Sequence, residues 1–329
     1  MKKFETGLIV GKFSPLHKGH EYLITSALSM CEHLTIITYS NPEFNGCSAP
    51  RRASWLKAMF PQTSIHALNS NLPDNDGSDY VHRRFVGEFC RDRLRIFPKV
   101  VFTSESYGLG FADYLTNFFG AKVEHVCIDI DRKHIPISGS KIRSDIHACR
   151  VYLSPIVYAD FVETICFLGA ESSGKSTLTQ SAAELFKTVA VSKYGRTLWE
   201  QKAGNLAFRD MIKIAKTHVS HEEKQRLNAN RFLFVDTSPL TTLFYSECLF
   251  SRATTELKRL SQREYDHVFL CDIDFPLVQD GTRSSEEFRC KQQEWYLKTL
   301  KERNIRYHVL SGNLSQRLKS VQEILLAKG

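Results

Sequence analysis

The sequence predicts an α/β protein made of two doubly wound domains, each built on a parallel β-sheet. Three observations support this prediction. The chain has 329 residues, enough for two domains of roughly 150 residues each. Apolar strand-like stretches alternate with helical patterns, and the order strand, loop, helix starts twice, near residues 8 and 164. In each half, the first strand is followed by a loop that contains two glycines and at least one lysine.

In the first half, the strand Leu8–Val10 precedes the loop GKFSPLHKGH at 11–20. The apolar residues that then recur at helical spacing are Leu23, Ile24, Ala27, Leu28 and Cys31. The next strand is Leu34–Tyr39, and later strands are predicted at Lys99–Thr103 and Val123–Asp129. A strand–helix–strand unit of this kind requires parallel strands, and ligands of such sheets bind beyond the carboxyl ends of the strands.

The pattern restarts after Tyr152–Asp160, which is predicted to join a domain at 1–155 to a second domain at 161–329. The elements predicted for the second half are the strands Thr164–Leu168, Arg231–Asp236 and His267–Asp272 and the helices Ser176–Phe186, Glu286–Asn304 and Leu314–Lys328.

Charge and cysteine content restrict the classes of function. The net charge of +8 is spread over both halves, with 19 basic and 16 acidic residues up to residue 160 and 25 and 20 after it. This pattern favours small anionic substrates over nucleic acid, which needs a concentrated basic stripe. The nine cysteines have no metal-ligand spacing, and no stretch reaches the roughly 18 apolar residues of a membrane span. We therefore expect a cytoplasmic protein with reduced thiols and no membrane or nucleic-acid partner.

The loop GAESSGKST at 169–177 matches the phosphate-binding motif GxxxxGK[ST] between a strand and a helix. Gly169 and Gly174 let the backbone curl so that its N–H groups face a polyphosphate. Lys175 can reach the β and γ phosphates of ATP, and the Ser176 hydroxyl can ligate Mg²⁺. The residues predicted to bind ATP here are Gly169, Ser173, Gly174, Lys175, Ser176 and Thr177.

Further residues of the second half are candidates for the chemistry around this loop. Asp236 ends a predicted strand, where its carboxylate can hold Mg²⁺ or accept a proton from an attacking hydroxyl; the alternative is an ordinary helix N-cap. The segment Gln279–Arg283 resembles a loop that closes over ATP, which would bring Arg283 to the transferred phosphoryl group; a solvated loop is the alternative. Tyr194 and Arg196 follow a short strand and could face a nucleoside.

The first half carries its own candidate anion site. His17 and His20 lie where the loop becomes a helix, and two such donors can bind the oxygens of an α-phosphate; zinc binding and incidental surface histidines are the alternatives. Ser138 is a favourable N-cap for a helix that carries Lys141 and Arg143. The residues predicted to bind nucleotide here are Gly11, Lys12, Phe13, Ser138 and Lys141, with His17, His20 and Arg143 as catalytic residues.

These motifs resemble a known family. GKFSPLHKGH is similar to the (H/T)xGH loop of the nucleotidyltransferase superfamily, and ISGSKIRSD is similar to its ISxTxxR element, with Gly139 and Ser140 where alanine and threonine are common. Together with GAESSGKST, KYGR, FVDT and VQDGTRS, their order along the whole chain resembles the NadR family, in which nicotinamide mononucleotide (NMN) adenylyltransferase is joined to ribosylnicotinamide kinase.

The resemblance implies ATP as a substrate at both sites, Mg²⁺ as a cofactor, ribosylnicotinamide and NMN as the other substrates, and NAD as the product. It implies adenylyl transfer by His17, His20, Ser138 and Arg143, with Arg52 near the mononucleotide. The kinase residues that it implies are Gly174, Lys175, Ser176 and Asp236, with Tyr194, Arg196 and Arg283 around the nucleoside and the closing loop, and Ser176 and Asp236 as metal ligands.

The chain departs from the family pattern in places. It begins directly at the first strand, without the helix-turn-helix of some members, so DNA binding is not expected. Lys193 replaces a glutamate, and NDGSDYV at 75–81 replaces an Asn-Gly-Trp stretch, which affects the recognition of nicotinamide and ribose. A different nucleoside or phosphorylated acceptor, and a nucleotide sensor with little turnover, are the alternative functions. The sequence is compatible with a homo-oligomer.

Overall fold

The computed structural model describes residues 2–276 and 285–327, and the chain divides into two units, Met1–Phe161 and Val162–Gly329. Each unit contains a five-stranded sheet in which all paired strands are parallel. The predicted fold class is therefore confirmed. Among the helices of the described residues, none combines the length and the apolar character that a membrane span requires.

The elements of the first unit are β1 Phe4–Gly11, α1 Lys18–Met30, β2 Cys31–Thr38, α2 Ala49–Met59, β3 Ser64–Ala67, α3 Asp79–Glu88, β4 Val100–Thr103, α4 Gly108–Phe119, β5 Glu124–Cys127, α5 Gly139–Ser144 and α6 Pro155–Tyr158. A π-helical turn at Phe89–Leu94 and 3₁₀ turns at Arg150–Tyr152 and Ala159–Phe161 complete the unit. The strand order is β3-β2-β1-β4-β5, so β1 lies at the centre and the chain reverses its winding direction there.

The core of the first unit forms where helices cover both faces of this sheet. Leu8 and Ile9 are adjacent on β1 and point to opposite faces, and both are fully buried. On α1, the predicted apolar face is confirmed at Leu23, Ile24 and Ala27. Cys31, which was expected on the same helix face, instead caps α1 and begins β2.

The elements of the second unit are β6 Glu163–Leu168, α7 Lys175–Leu185, β7 Ala190–Val191, α8 Tyr194–Gln201, α9 Phe208–Arg226, β8 Phe232–Asp236, α10 Pro239–Phe250, α11 Thr255–Leu260, β9 His267–Cys271, α12 Glu286–Glu302, β10 His308–Leu310 and α13 Leu314–Leu326. The strand order is β10-β9-β6-β8-β7. Phe167 on the central strand β6 stacks on Phe234 of β8 and Phe269 of β9, with ring centroids 6.0 and 5.5 Å apart. These rings join the three buried strands whose carboxyl ends carry the candidate site.

The segment Tyr152–Asp160, which was predicted to be a joint, is helical in the structure. It forms the end of one 3₁₀ turn, all of α6 and the start of the next turn. Val157 and Tyr158 are buried, and the Trp55 indole donates a hydrogen bond of 2.7 Å to Asp160. The segment therefore packs within the first unit, and the domain boundaries 1–155 and 161–329 stay a prediction.

We expect the substitution Phe102→Ala to lower the free energy of unfolding of the first unit by about 3–5 kcal/mol, because it leaves a cavity against fully buried β4. Phe97→Ala removes the same atoms from a side chain that is 55% exposed and should cost about 1 kcal/mol or less. Urea denaturation of both variants measures the difference. Equal losses would contradict the burial of β4.

Candidate functional site

A cavity of about 440 Å³ opens beside the carboxyl ends of β1 and β4 in the first unit. This is the edge of a doubly wound sheet at which ligands bind. The predicted residues that line the cavity are Gly11, Lys12, Phe13, His20, Ser138 and Arg143. Two motifs that are far apart in the sequence therefore meet around one space.

His17 and His20 form a stacked pair at the start of α1. His17 is the N-cap, and its Nδ1 accepts the backbone N–H of His20 over 3.4 Å, while the ring centroids lie 3.6 Å apart. Burial, and then the nearby positive charge of Arg132, lowers the pKa of His17 to about 4. Burial and the neighbouring His17 hold the pKa of His20 well below its usual value. Both rings are therefore neutral at pH 7 and offer hydrogen bonds rather than charge.

Arg143 is one of four cationic side chains that line this cavity, together with Lys12, Arg83 and Arg132. Its Nη1 donates to the Ser14 carbonyl over 2.7 Å, and its Nη2 donates to Ser140 Oγ over 3.1 Å. The guanidinium carbon lies 4.0 Å from the centroid of the Phe44 ring, which also lies 6.0 Å from Lys12 Nζ. Phe44 thus holds two cations at the cavity by cation–π attraction. Nothing in the spacing of the sequence indicated this role for Phe44.

Part of the cavity lining is aromatic and was not predicted. Tyr39, His82 and Tyr107 contribute to it, and the Tyr39 hydroxyl is hydrogen-bonded to His82 Nδ1 over 2.9 Å. Burial raises the pKa of Tyr39, so its hydroxyl stays protonated at neutral pH. Flat rings beside cations suit a nucleotide, whose base is flat and whose phosphates are anionic. Tyr39 is the last residue of the strand predicted at Leu34–Tyr39. This position at the ligand-binding edge of the sheet could have identified it as a site residue.

Residues 75–81, which differ from the family pattern, form a turn that is hydrogen-bonded to residues 40 and 41 and leads into α3. The Asn75 backbone N–H donates to the Asn41 carbonyl over 2.7 Å, and Asn75 Oδ1 accepts from Ser40 Oγ over 3.2 Å. Ser78 caps α3 by accepting the backbone N–H of Val81. The stretch therefore positions the helix that carries His82 to the cavity.

Arg52, Lys141 and His17 lie outside the lining of this cavity, although His17 stacks on His20, which lines it. Arg52 is fully buried on α2, where its Nη1 donates to the Cys47 carbonyl over 2.5 Å and contacts Glu43 Oε1 over 3.4 Å. Its Nε and Nη2 have no hydrogen-bond partner, and burial lowers the pKa of its guanidinium. The Lys141 side chain is exposed, while its backbone N–H is capped by Ser138. Their roles toward a ligand stay predictions.

In the second unit, the loop between β6 and α7 has the backbone that its glycines were predicted to allow. Gly169 and Gly174 have φ values of +139° and +76°. A Cβ atom at Gly169 would lie 2.6 Å from the Cys271 carbonyl oxygen, so a side chain is excluded. Lys175 Nζ donates to the Ala170 carbonyl over 2.6 Å. Burial, followed by the like charge of Lys193, lowers the pKa of Lys175 to about 8.

Asp236 ends β8 beside this loop, where it pairs in register with Phe167 of β6. It is 3% exposed, and its Oδ1 has no hydrogen-bond partner. Ser238, not Asp236, is the N-cap of α10, because its side chain accepts the backbone N–H of Leu240. The alternative of an ordinary N-cap for Asp236 is therefore wrong, and its carboxylate does not cap the helix.

Thr237 adopts φ +73°, a left-handed conformation that β-branched residues rarely take. Its N–H donates to the Phe167 carbonyl over 3.0 Å, and its own carbonyl accepts from His218 Nε2 over 3.2 Å. Its hydroxyl also bonds to that of Thr241. Three hydrogen bonds therefore hold the strained turn directly after Asp236, and no sequence pattern predicted it.

Four buried polar residues of α12 and α13 contact the phosphate loop and were not predicted. They are Arg289, Gln292, Gln293 and Arg317. Their spacing relative to apolar residues of the same helix could have indicated that they are buried. On α13, Arg317 lies four and eight residues before the buried Val321 and Leu325, so it shares their face.

Tyr194 and Arg196 open α8, directly after β7, as the sequence indicated. The Tyr194 ring packs edge-on against His221 with centroids 5.6 Å apart, and Arg196 Nε donates to Glu200 over 3.0 Å. Ser176 and Thr177 are exposed in the first turn of α7. Arg283 and the rest of Gln279–Arg283 lie outside the described residues.

Comparison with known proteins finds relatives that cover most of the chain. A family model described as an AAA domain matches residues 164–317. A curated protein of Escherichia coli strain K12, named trifunctional NAD biosynthesis/regulator protein NadR, is 31% identical over 93% of this chain and 78% of its own length. Its namesake from Salmonella typhimurium is 31% identical over 97% of this chain and 82% of its own length. Crystal structures of NadR protein, one in complex with NR and one with NAD and AMP-PNP, share the fold. Each has a TM-score of 0.70 at 18% identity and covers 98% of this chain and 96% of that chain.

We expect the affinity of the second unit for ATP to fall as the pH rises above about 8, because Lys175 loses its proton there. Below that pH the ammonium is charged and attracts the triphosphate, and above it the loss approaches about tenfold per pH unit. Isothermal titration calorimetry measures this dependence. Lys175→Met should bind ATP weakly without the alkaline decline, and a decline that persists in this variant would contradict the assignment.

Proposed function

Because the chain belongs to the NadR family, as its motifs predicted, we propose that it is a bifunctional enzyme of NAD salvage. The second unit phosphorylates ribosylnicotinamide with ATP and gives NMN. The first unit transfers the adenylyl group of a second ATP to NMN and gives NAD and pyrophosphate. The observation that carries this proposal is the presence of two separate anion-binding sites at the carboxyl ends of two parallel sheets. Family membership does not favour a different acceptor or a sensor without turnover.

In the kinase unit, the 5′-hydroxyl oxygen of ribosylnicotinamide attacks the γ-phosphorus of ATP. The new bond joins that oxygen to phosphorus, and the bond to the β,γ-bridging oxygen breaks, so that ADP leaves. Asp236 orients the hydroxyl and takes its proton, for which its unpartnered Oδ1 is available. Lys175 places a positive charge at the phosphates, and Arg283 is proposed to do so from the closing segment.

The oxygen donors beside this loop fit Mg²⁺, which prefers carboxylate, hydroxyl and phosphate oxygens. The buried carboxylate of Asp236 and the exposed hydroxyl of Ser176 are the groups that would hold it. When bound, Mg²⁺ supplies neutralisation of the phosphate charge. Tyr194 and Arg196 are proposed to contact the nucleoside.

In the adenylyltransferase unit, a phosphate oxygen of NMN attacks the α-phosphorus of ATP, and pyrophosphate is the leaving group. The neutral His17 and His20 donate hydrogen bonds to the α-phosphate oxygens, and Arg143 and Lys12 provide the fixed charge. Positioning and electrostatics suffice, and no covalent intermediate with the protein is formed. Arg52 is proposed to act near the mononucleotide.

The cellular setting follows from these substrates. Both units consume ATP, and the nine cysteines lack a pattern of structural disulfides, so we place the protein in the cytoplasm. Its partners in this proposal are small molecules, without nucleic acid, and assembly into a homo-oligomer is compatible with it. Incubation of the pure protein with ribosylnicotinamide, ATP and Mg²⁺ tests the function, since mass spectrometry must then detect NMN and NAD. Absence of both products would reject it.

Substitutions should separate the two reactions. Lys175→Ala is expected to lower the kinase rate by about 10²–10³ and to leave adenylyl transfer nearly unchanged, because it removes one electrostatic donor from one unit. His20→Ala is expected to do the reverse. Each reaction is measured separately from its own substrate, ribosylnicotinamide or NMN.

The matched controls are Lys319→Ala and His33→Ala, which remove an exposed lysine and an exposed histidine outside both sites and should change neither rate. Loss of both reactions in either folded active-site variant would reject the assignment of one reaction to each unit.

A further inference from the structure

Two adjacent glutamines of α12 hold the beginning of the phosphate loop. Gln293 Oε1 accepts the backbone N–H of Ala170 over 3.1 Å, and Gln292 Oε1 accepts that of Glu171 over 2.8 Å. The two side chains are buried, with exposures of 6% and 1%. A buried amide group is kept only where its hydrogen bonds are satisfied, so these contacts are specific.

Gln293 also connects the loop to the neighbouring strand. Its Nε2 donates to the Cys271 carbonyl at the end of β9 over 3.2 Å. This is the same carbonyl that leaves no room for a Cβ atom at Gly169. One side chain therefore ties the ends of β6 and β9 together at their closest approach. Ala170, whose N–H it holds, presents its carbonyl to Lys175 Nζ.

Two arginines hold the middle of the loop by its carbonyl groups. Arg317 Nη1 donates to the Ser173 carbonyl over 2.7 Å, and Arg289 Nη2 donates to the Ser172 carbonyl over 3.4 Å. In a trans peptide the carbonyl and the following N–H point in opposite directions. Holding these two carbonyls on the outer side of the loop therefore turns the N–H groups of Ser173 and Gly174 to the inner side, where a phosphate binds.

Arg317 acts on the loop and has little capacity left for a ligand. Its Nε donates to the Gly312 carbonyl over 2.8 Å, and its Nη2 donates to the Asp272 carbonyl over 3.1 Å and pairs with Asp274. The side chain is 2% exposed. A guanidinium that is buried and engaged at all three nitrogens supports its neighbours rather than the substrate.

We propose that Arg289, Gln292, Gln293 and Arg317 are positioning residues that hold the phosphate loop in the conformation that binds ATP. We call these four residues the outer brace. The inference rests on the proposed kinase function and adds to it the residues that orient the peptide groups of the loop. Because they contact the phosphate loop, we assign their effect to the binding of ATP and not to that of ribosylnicotinamide.

The main test is Gln293→Leu, which keeps the approximate volume of the side chain and removes both hydrogen bonds. We expect the KM for ATP to rise and the affinity for ATP to fall by roughly tenfold to hundredfold, because the loop loses its hold and a buried N–H loses its partner. The KM for ribosylnicotinamide and the rate of adenylyl transfer should not change. Gln292→Leu and Arg317→Gln should act in the same direction.

Two exposed residues of the same unit offer matched controls. Gln180→Leu removes an amide from α7 outside the loop, and Arg306→Gln removes an exposed guanidinium. Both should leave the kinase constants within about twofold of those of the parent. Activities are expressed per folded protein, with thermal unfolding recorded for each variant.

Gln293→Glu tests directly whether the hydrogen bonds of this side chain orient the phosphate loop. It also replaces the leucine variant if that variant is too unstable to assay. A buried carboxyl group has a raised pKa, and its protonated form can accept from Ala170 and donate to Cys271 as the amide does. The ATP affinity of this variant relative to the parent should therefore recover as the pH falls. Recovery supports the proposal, and an affinity that stays equally far below that of the parent at every pH overturns it.

The outcomes separate the two proposals. ATP binding is assigned to the second unit as the calorimetric site that Lys175→Ala weakens. If the parent binds ATP there but forms no NMN, the proposed function fails, and the ATP affinities of the variants still test the outer brace. If the parent makes NMN and the brace variants lose only thermal stability, with both KM values and the affinity for ATP unchanged, the four residues are merely structural and the inference is wrong.

Discussion

The orientation of the peptide groups between β6 and α7 is the constraint on which the second unit depends. An anion can be held by backbone N–H groups only if successive peptides turn their carbonyls away from it. Gly169 and Gly174 allow the backbone of the loop to adopt such a conformation, but they do not exclude other conformations. Selection requires contacts on the outer side of the loop, and Arg289 and Arg317 provide them at the Ser172 and Ser173 carbonyls.

The first unit holds its anion in a different way. Its phosphate-binding groups are side chains, and its two histidines are uncharged because burial makes protonation costly. Neutral rings remain pre-oriented by stacking and by the N-cap bond, while the charge comes from Arg143 and Lys12 over the Phe44 ring. The histidines therefore provide oriented hydrogen-bond donors, and Arg143 and Lys12 provide the positive charge. Because different residues have these two roles, the position of one group does not restrict that of the other.

Sequence patterns predicted the parts of this protein that local rules determine. Apolar runs identified β1, β2, β6, β8 and β9, because strands buried on both faces are continuously hydrophobic. The loop motifs located the two anion sites for the same local reason. The short edge strands β3 and β10 were missed, since three or four residues carry no clear period. Phe44 and Thr237 escaped prediction because cation–π contacts and a strained φ arise only from tertiary packing.

The outer brace has a consequence for how the protein is made. Its hydrogen bonds to the phosphate loop span 117 to 144 positions of the sequence. A ribosome therefore completes the loop long before it adds the side chains that orient it, and contacts of such long range form late in folding. Nascent chains must pass through a stage in which the adenylyltransferase unit is fully synthesised while the kinase loop still lacks its supports.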